Sequence, residues 1–142
     1  MAGSTQTLAE TVTAMIGKPF VWQGRGPNAY DCWGVVHEIL QATGCTDIPD
    51  YGTVDNPNSV IRVMAREVET PKWRQILDIH ELQTGDVLLL STVSHVFHHA
   101  GVWTPWGVVH ATPKMGVIIS RIRDLETIGY KHYKVYRWAG SA

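Results

Sequence analysis

Apolar positions recur at helical spacing through the first half of the chain and at strand-like spacing through the second. Leu8, Val12, Met15 and Ile16 stand close to the period of a helix that buries one face. Thr5 or Thr7 is available as its N-cap, and Gly17 followed by Lys18-Pro19 stops it. Phe20-Val21-Trp22 reads as a short extended piece leading into a Gly/Pro/Asn loop, Gly24-Arg25-Gly26-Pro27-Asn28. Beyond it, Asp31-Cys32-Trp33-Gly34 opens the apolar run Val35-Val36-His37-Glu38-Ile39-Leu40, which predicts a second helix from Cys32 to about Ala42, ending at Gly44. Residues 47–58 are rich in Pro, Asp, Asn and Gly and read as loop. Asn58 or Ser59 is then the expected cap of a third helix carrying Ile61, Met64, Ala65 and Val68, with Pro71 as its far limit. The stretch 73–79 is ambiguous, and 80–86 reads as a turn.

From Asp86 onward the pattern changes to strands. Val87-Leu88-Leu89-Leu90 is a buried-strand run, and Ala100-Gly101-Val102-Trp103 is the next. Thr104-Pro105 turns the chain into Trp106-Gly107-Val108-Val109-His110-Ala111. Gly116-Val117-Ile118-Ile119-Ser120 and Tyr133-Lys134-Val135-Tyr136-Arg137-Trp138 complete five predicted strands. Helices first and antiparallel strands after them give an α+β order rather than βαβ, with the N-terminal helices packed on an antiparallel sheet. With no repeat, low-complexity tract or internal linker, residues 1–142 read as a single domain.

Bulk properties narrow the partners. A chain of 142 residues with 44% hydrophobic content can bury a real core. Its formal net charge is −1, and Arg121-Ile122-Arg123 is too short to form a basic patch, which argues against nucleic acid and anionic membranes. No window is long and apolar enough to span a bilayer, so no membrane insertion is expected. Met1 to Leu8 lacks the basic-then-apolar order of a signal peptide, so the chain as written is expected to be soluble and not to direct its own export. The two cysteines, Cys32 and Cys45, are too few for a disulfide-held secreted domain and are expected as free thiols. Cys45, just after Gly44, reads as a small apolar packing residue.

Cys32 has a different setting. In the first turn of a helix, unpaired N–H groups and the positive end of the dipole favour an anion. Such a site is expected to lower the thiol pKa and sharpen its nucleophilicity. A lone cysteine at a helix start is more often structural, and it is the distant histidines that alter the balance. Alternation puts His99, Gly101 and Trp103 on one strand face and His98, Ala100 and Val102 on the other. In a hairpin through Thr104-Pro105, His99 and His110 come near the same end of the ladder as cross-strand neighbours. His110 can then hold one His99 nitrogen while the other faces Cys32, which supplies a nucleophile, a base and an orienting group. His37, five residues along the helix, is read as a surface residue, and His80 and His132 as solvated. His95 and His98 are candidates for crowding the cleft and contacting substrate. The cluster His95, His98, His99 and His110 makes zinc the rival chemistry, but no H-E-x-x-H or C-x-x-C spacing occurs, so neither a metal nor another cofactor is expected.

In order along the chain, Pro19-Phe20-Val21-Trp22-Gln23-Gly24, Asp31-Cys32-Trp33-Gly34-Val35-Val36, Gly85-Asp86-Val87, His99-Ala100-Gly101-Val102-Trp103 and Val109-His110-Ala111 resemble the motifs of the NlpC/P60 peptidases. The resemblance runs from about residue 8 to residue 138. It implies a papain-like fold and a cysteine endopeptidase that hydrolyses peptidoglycan stem peptides, commonly between D-glutamate and diaminopimelate or lysine. It also implies Cys32 as nucleophile, His99 as base and His110 as the orienting third residue. Phe20, Trp22, Asp31, Trp33 and His98 are the expected substrate contacts. Two positions depart from the family pattern. Phe20 stands where the family usually has Tyr and lacks its hydroxyl, and Trp33 stands where Ser commonly follows the cysteine. Trp33 is similar to phage-tail and prophage members, which implies a protein made in the host cytoplasm and carried to the wall by a tail or tail-like particle. The alternative is a structural tail-tip component that keeps the fold and uses its cleft, with Trp22, Trp33, Trp103 and Trp106, for docking to tail-tip proteins.

Overall fold

The computed structural model describes residues 5–51, 56–94 and 96–140. Among the described residues, three helices, α1 (Thr5–Met15), α2 (Cys32–Ala42) and α3 (Pro57–Glu67), precede all six strands of an antiparallel sheet. The strands are β1 (Trp73–Ile76), β2 (Val87–Ser91), β3 (His99–Thr104), β4 (Gly107–Thr112), β5 (Gly116–Ser120) and β6 (His132–Trp138), in the spatial order β1-β6-β2-β3-β4-β5. The α+β order expected from the apolar pattern is therefore the observed one.

Helix α2 lies at the centre. Val35, Val36, Ile39 and Leu40 are all buried and fall on the side that meets β3 and β4. Burying each such side chain is worth roughly 1.5–3 kcal/mol, so this face outweighs any local propensity. Leu8, Val12 and Met15 of α1 join the same cluster, as do Val87, Leu89, Ala100, Val102, Val109 and Ala111 of the sheet. A second, smaller cluster covers the opposite sheet face, with Leu88, Leu90, Val108, Val135, Ile76 and Leu125. Alternate residues of β2 thus feed two different cores, which explains why β2 reads as a continuous apolar run rather than an alternating one.

Three local expectations are corrected. Thr5 and Thr7 lie inside α1 rather than capping it. The cap of α3 is Asn56, whose side chain accepts from Ser59 N–H at 3.0 Å with Pro57 at the first helical position, so Asn58 and Ser59 are already helical. The ambiguous stretch contains β1, a short edge strand paired with β6. It buries only its end residues, Trp73 and Ile76, one into each core, and four residues are too few to display a period. The Gly85-Asp86 turn is anchored by a buried ion pair: Asp86 accepts from Gln83 N–H at 2.9 Å and from Arg137 of β6 at 2.7 and 2.8 Å.

Candidate active site

The thiol side of the site is built by the loop that precedes α2. Asp31 is the N-cap, accepting from Gly34 N–H at 2.8 Å. Its carboxylate also accepts from Gln23 N–H at 2.9 Å and from the Arg25 guanidinium at 2.8 Å, and Arg25 reaches on to Asp50. The loop and the helix fit closely at Gly34, where a Cβ would come 2.1 Å from the Gly24 carbonyl oxygen. Only glycine permits that approach. The result is a fixed first turn with Cys32 as its first residue, its side chain buried.

Opposite it, β3 and β4 separate. Their ladder pairs Val102 with Val109, Trp103 with Val108 and Thr104 with Gly107, and goes no further toward His99. Trp103 N–H donates to the Asp86 carbonyl on the β2 side, so by alternation Ala100 turns its N–H away from β2. That N–H hydrogen-bonds the Cys32 sulfur, as does the Trp33 N–H. The thiol is therefore held at the start of β3, one peptide from His99.

His99 and His110 are joined as the hairpin geometry predicts, but diagonally rather than directly across. Extending the ladder puts Gly101 opposite His110. A Cβ on Gly101 would lie 2.6 Å from Val108 Cγ1 and 3.1 Å from His110 Cβ. Its absence lets the His110 ring lean toward His99. His99 Nε2 and His110 Nδ1 are 2.9 Å apart, and His110 Nε2 is 2.8 Å from Ser120 Oγ. All three side chains are buried. Tyr130 lies flat on the His99 ring, with centroids 4.6 Å apart and planes 7° from parallel.

The electrostatics overturn one expectation. Burial pushes the Cys32 thiol up to about 12, and the Asp31 carboxylate adds to the rise. The Ala100 amide, Arg25 and the Trp33 amide pull the other way and do not prevail. A helix start favours a thiolate, but here burial of the sulfur outweighs it. Burial likewise drives His99 well below the ordinary histidine value, with His110 and His98 lowering it further, and brings His110 down to about 4. Tyr130 is raised to about 12 by burial and by Cys32, whose field it shares. Burial thus favours the neutral form of the thiol, which is tied to the backbone N–H adjoining His99, and of both imidazoles. The arrangement can perform general-base chemistry, with the proton leaving sulfur as the sulfur attacks.

A cavity of about 50 Å³ opens beside Cys32, under α3. Trp22, Asp31 and Trp33 line it with Tyr51, Met64 and Trp73, and its surface is almost wholly apolar. Asp31 borders this cavity while its carboxylate is engaged by three internal donors. Trp33 is buried, its indole N–H donating to Pro49 O at 2.8 Å and its ring meeting Tyr51 and Trp73 edge-on. Phe20 is not part of the lining and packs against Trp22 at 5.1 Å. His98 is half-buried near Tyr130, and its Nε2 has no hydrogen-bond partner. His95 lies outside the described residues. Cys45 packs against the main core as expected, and both cysteines are free thiols.

Sequence reasoning missed Ser120, Tyr130 and Arg25, and the pair in which the Tyr51 hydroxyl donates to the Glu67 carboxylate beside the cavity. A serine ending a strand and a tyrosine after Gly129 carry no motif. Only the diagonal register and the packing of the 122–130 segment bring them to His99 and His110.

The NlpC/P60 family model matches residues 17–137. A γ-D-glutamyl-L-lysine dipeptidyl-peptidase of Bacillus subtilis (strain 168) is 23% identical over 128 residues, which cover 89% of this chain and 38% of that protein. An NlpC/P60 family protein of Bacillus cereus ATCC 10987 superposes with a TM-score of 0.63 at 22% identity, over 96% of this chain and 40% of that one. The NlpC/P60 domain of the peptidoglycan hydrolase SagA superposes with a TM-score of 0.57 at 21% identity, over 93% of this chain and 97% of that domain. The chain spans less than half the length of the curated relative it matches. It belongs to the NlpC/P60 family.

Proposed function

We propose, from that membership and the site geometry, that this domain is a cysteine peptidase that cleaves an amide bond in peptidoglycan stem peptides, of the D-glutamyl–diaminopimelate or D-glutamyl–lysine type. The observation that carries the reading is the thiol at the head of α2, held by the Ala100 N–H next in sequence to His99, whose Nε2 is engaged at 2.9 Å by His110. With Nε2 so engaged, Nδ1 is the His99 nitrogen left for the thiol. The names of the Bacillus subtilis relative and of SagA support the substrate class.

In this reading Cys32 sulfur attacks the amide carbonyl carbon as its proton passes to His99 Nδ1. The oxygen of the tetrahedral intermediate is stabilised by the Cys32 backbone N–H in the first turn of α2. The C–N bond then breaks and His99 gives the proton to the leaving amine. Water attacks the thioester carbonyl, losing one proton to His99; the C–S bond breaks, that proton returns to sulfur, and the carboxylic acid product gives its remaining proton to solvent. His110 orients His99, and Trp22, Asp31 and Trp33 line the cavity beside the thiol, with Phe20 packed behind Trp22. Trp33 after the cysteine, which resembles phage-tail and prophage members, supports carriage by a tail or tail-like particle, which mass spectrometry of purified particles would test.

A second reading has one observation in its favour. The thiol is buried and its pKa is pushed up by that burial, as befits a structural tail-tip component that keeps only the fold. Digestion of purified peptidoglycan, analysed by mass spectrometry, decides between them. The peptidase reading expects new termini at the D-glutamyl bond, and loss of at least about a thousandfold in rate for Cys32→Ala with the thermal midpoint nearly unchanged. Persistent cleavage in that variant, or none by the parent chain, would remove it.

A further inference from the structure

Behind His99 the hydrogen-bonded side chains do not stop at His110; they end on the Ser120 hydroxyl, 2.8 Å from His110 Nε2. Ser120 stands opposite Val108 in the β4–β5 ladder, one diagonal step from His110, just as His110 is one diagonal step from His99. Three strands thus contribute one member each to a buried row on one face of the sheet.

Such a row has a direction. Each neutral imidazole carries one N–H and one bare nitrogen, so each ring both donates and accepts. If His110 donates from Nε2 to Ser120 Oγ, its Nδ1 is bare and accepts from His99 Nε2–H. His99 Nδ1 is then bare as well and able to take a proton from the Cys32 thiol. If the row runs the other way, His110 Nδ1–H donates to His99 Nε2, and the His99 proton sits on Nδ1, where it blocks the thiol. The serine is able to complete either direction, because a hydroxyl both donates and accepts. A methyl group there completes neither. A buried N–H without an acceptor is rarer in proteins than a buried lone pair without a donor. With the hydroxyl removed, the His110 proton therefore shifts to Nδ1 and the row takes the blocked direction.

We propose that Ser120 is a positioning residue whose hydroxyl oxygen accepts the His110 Nε2–H and so keeps His99 Nδ1 bare toward Cys32. The proposal rests on the reading of His99 as the base. It assigns the last member of the row a task at the sulfur three residues away in the chain of contacts, without contact with substrate.

The test uses the full chain labelled with ¹⁵N-histidine at neutral pH, whose ring shifts distinguish protonated from bare nitrogens. The parent chain is expected to show His110 with a protonated Nε2 and a bare Nδ1. Ser120→Ala is expected to exchange them, with kcat for stem-peptide cleavage falling at least about tenfold and KM staying within about twofold. Ser120→Thr, which keeps the hydroxyl, is expected to restore both the parent tautomer and most of the rate. A protonated Nδ1 on His110 in the parent chain overturns the proposal, even if Ser120→Ala does not fold. So does a Ser120→Ala protein with unaltered ring shifts. Exchange of the tautomers in a chain that cleaves no peptide would uphold the direction of the row and count against the peptidase reading instead.

Discussion

The cysteine side and the histidine side of the cleft solve opposite problems. Around Cys32 the strong polar groups serve the backbone: the Asp31 carboxylate is spent on Gly34, Gln23 and Arg25, and it holds the helix start rather than the sulfur. Around His99 the polar groups serve one another, from His99 to His110 to Ser120. The first arrangement leaves a thiol that burial keeps protonated; the second leaves an imidazole that burial keeps neutral. In the peptidase reading proposed above, reactivity then does not reside in a preformed thiolate. On that reading it depends on how accurately the histidine row presents a bare nitrogen.

Three perturbations test that contrast, in decreasing order of expected effect. Gly101→Ala strikes the histidine side alone. The added methyl meets Val108 and His110, so the ring must move away from His99; the expected outcome is about a hundredfold lower kcat, with about 1–3 kcal/mol lost from stability by overpacking. Steady-state kinetics with denaturant titration would check it, and full activity would show that the His99–His110 distance does not matter.

Acid comes next. His110 titrates at about 4 in the folded chain and near 6.5 when unfolded, so between these values the unfolded state binds the proton that the native state refuses. Its contribution is complete above about pH 6.5 and is lost as pH falls toward 4, by about 3 kcal/mol in all. His99, lowered in the same direction, adds to the loss. Denaturant titrations across this range should show the slope, and His110→Asn should flatten it; an equal slope in that variant would place the acid sensitivity elsewhere.

Smallest is the effect of Asp31→Ala on the cysteine side. The cap and a buried carboxylate paired with a partly exposed Arg25 are lost together, and the expected cost is about 2 kcal/mol after allowance for solvent at the arginine. Stability is read by thermal melting. The acid slope of the parent should persist, because Asp31 does not touch the histidine row.

Much of this architecture is written in local pattern. The α2 run, the uninterrupted β2 run and the Thr104-Pro105 turn specify their own elements, since period and turn chemistry act over a few residues. Cys32 at a helix start and the His99–His110 hairpin could be read for the same reason. Tertiary structure alone decided the rest. The thiol pKa depends on how much water the assembled core excludes, a property of neighbours from α3 and the sheet that no helix-start rule contains. Ser120 and Tyr130 matter only because diagonal register and the packing of residues 122–130 bring them to the imidazoles. Spacing along the chain carries the period of an element, but desolvation and diagonal contact arise only once the elements are packed together.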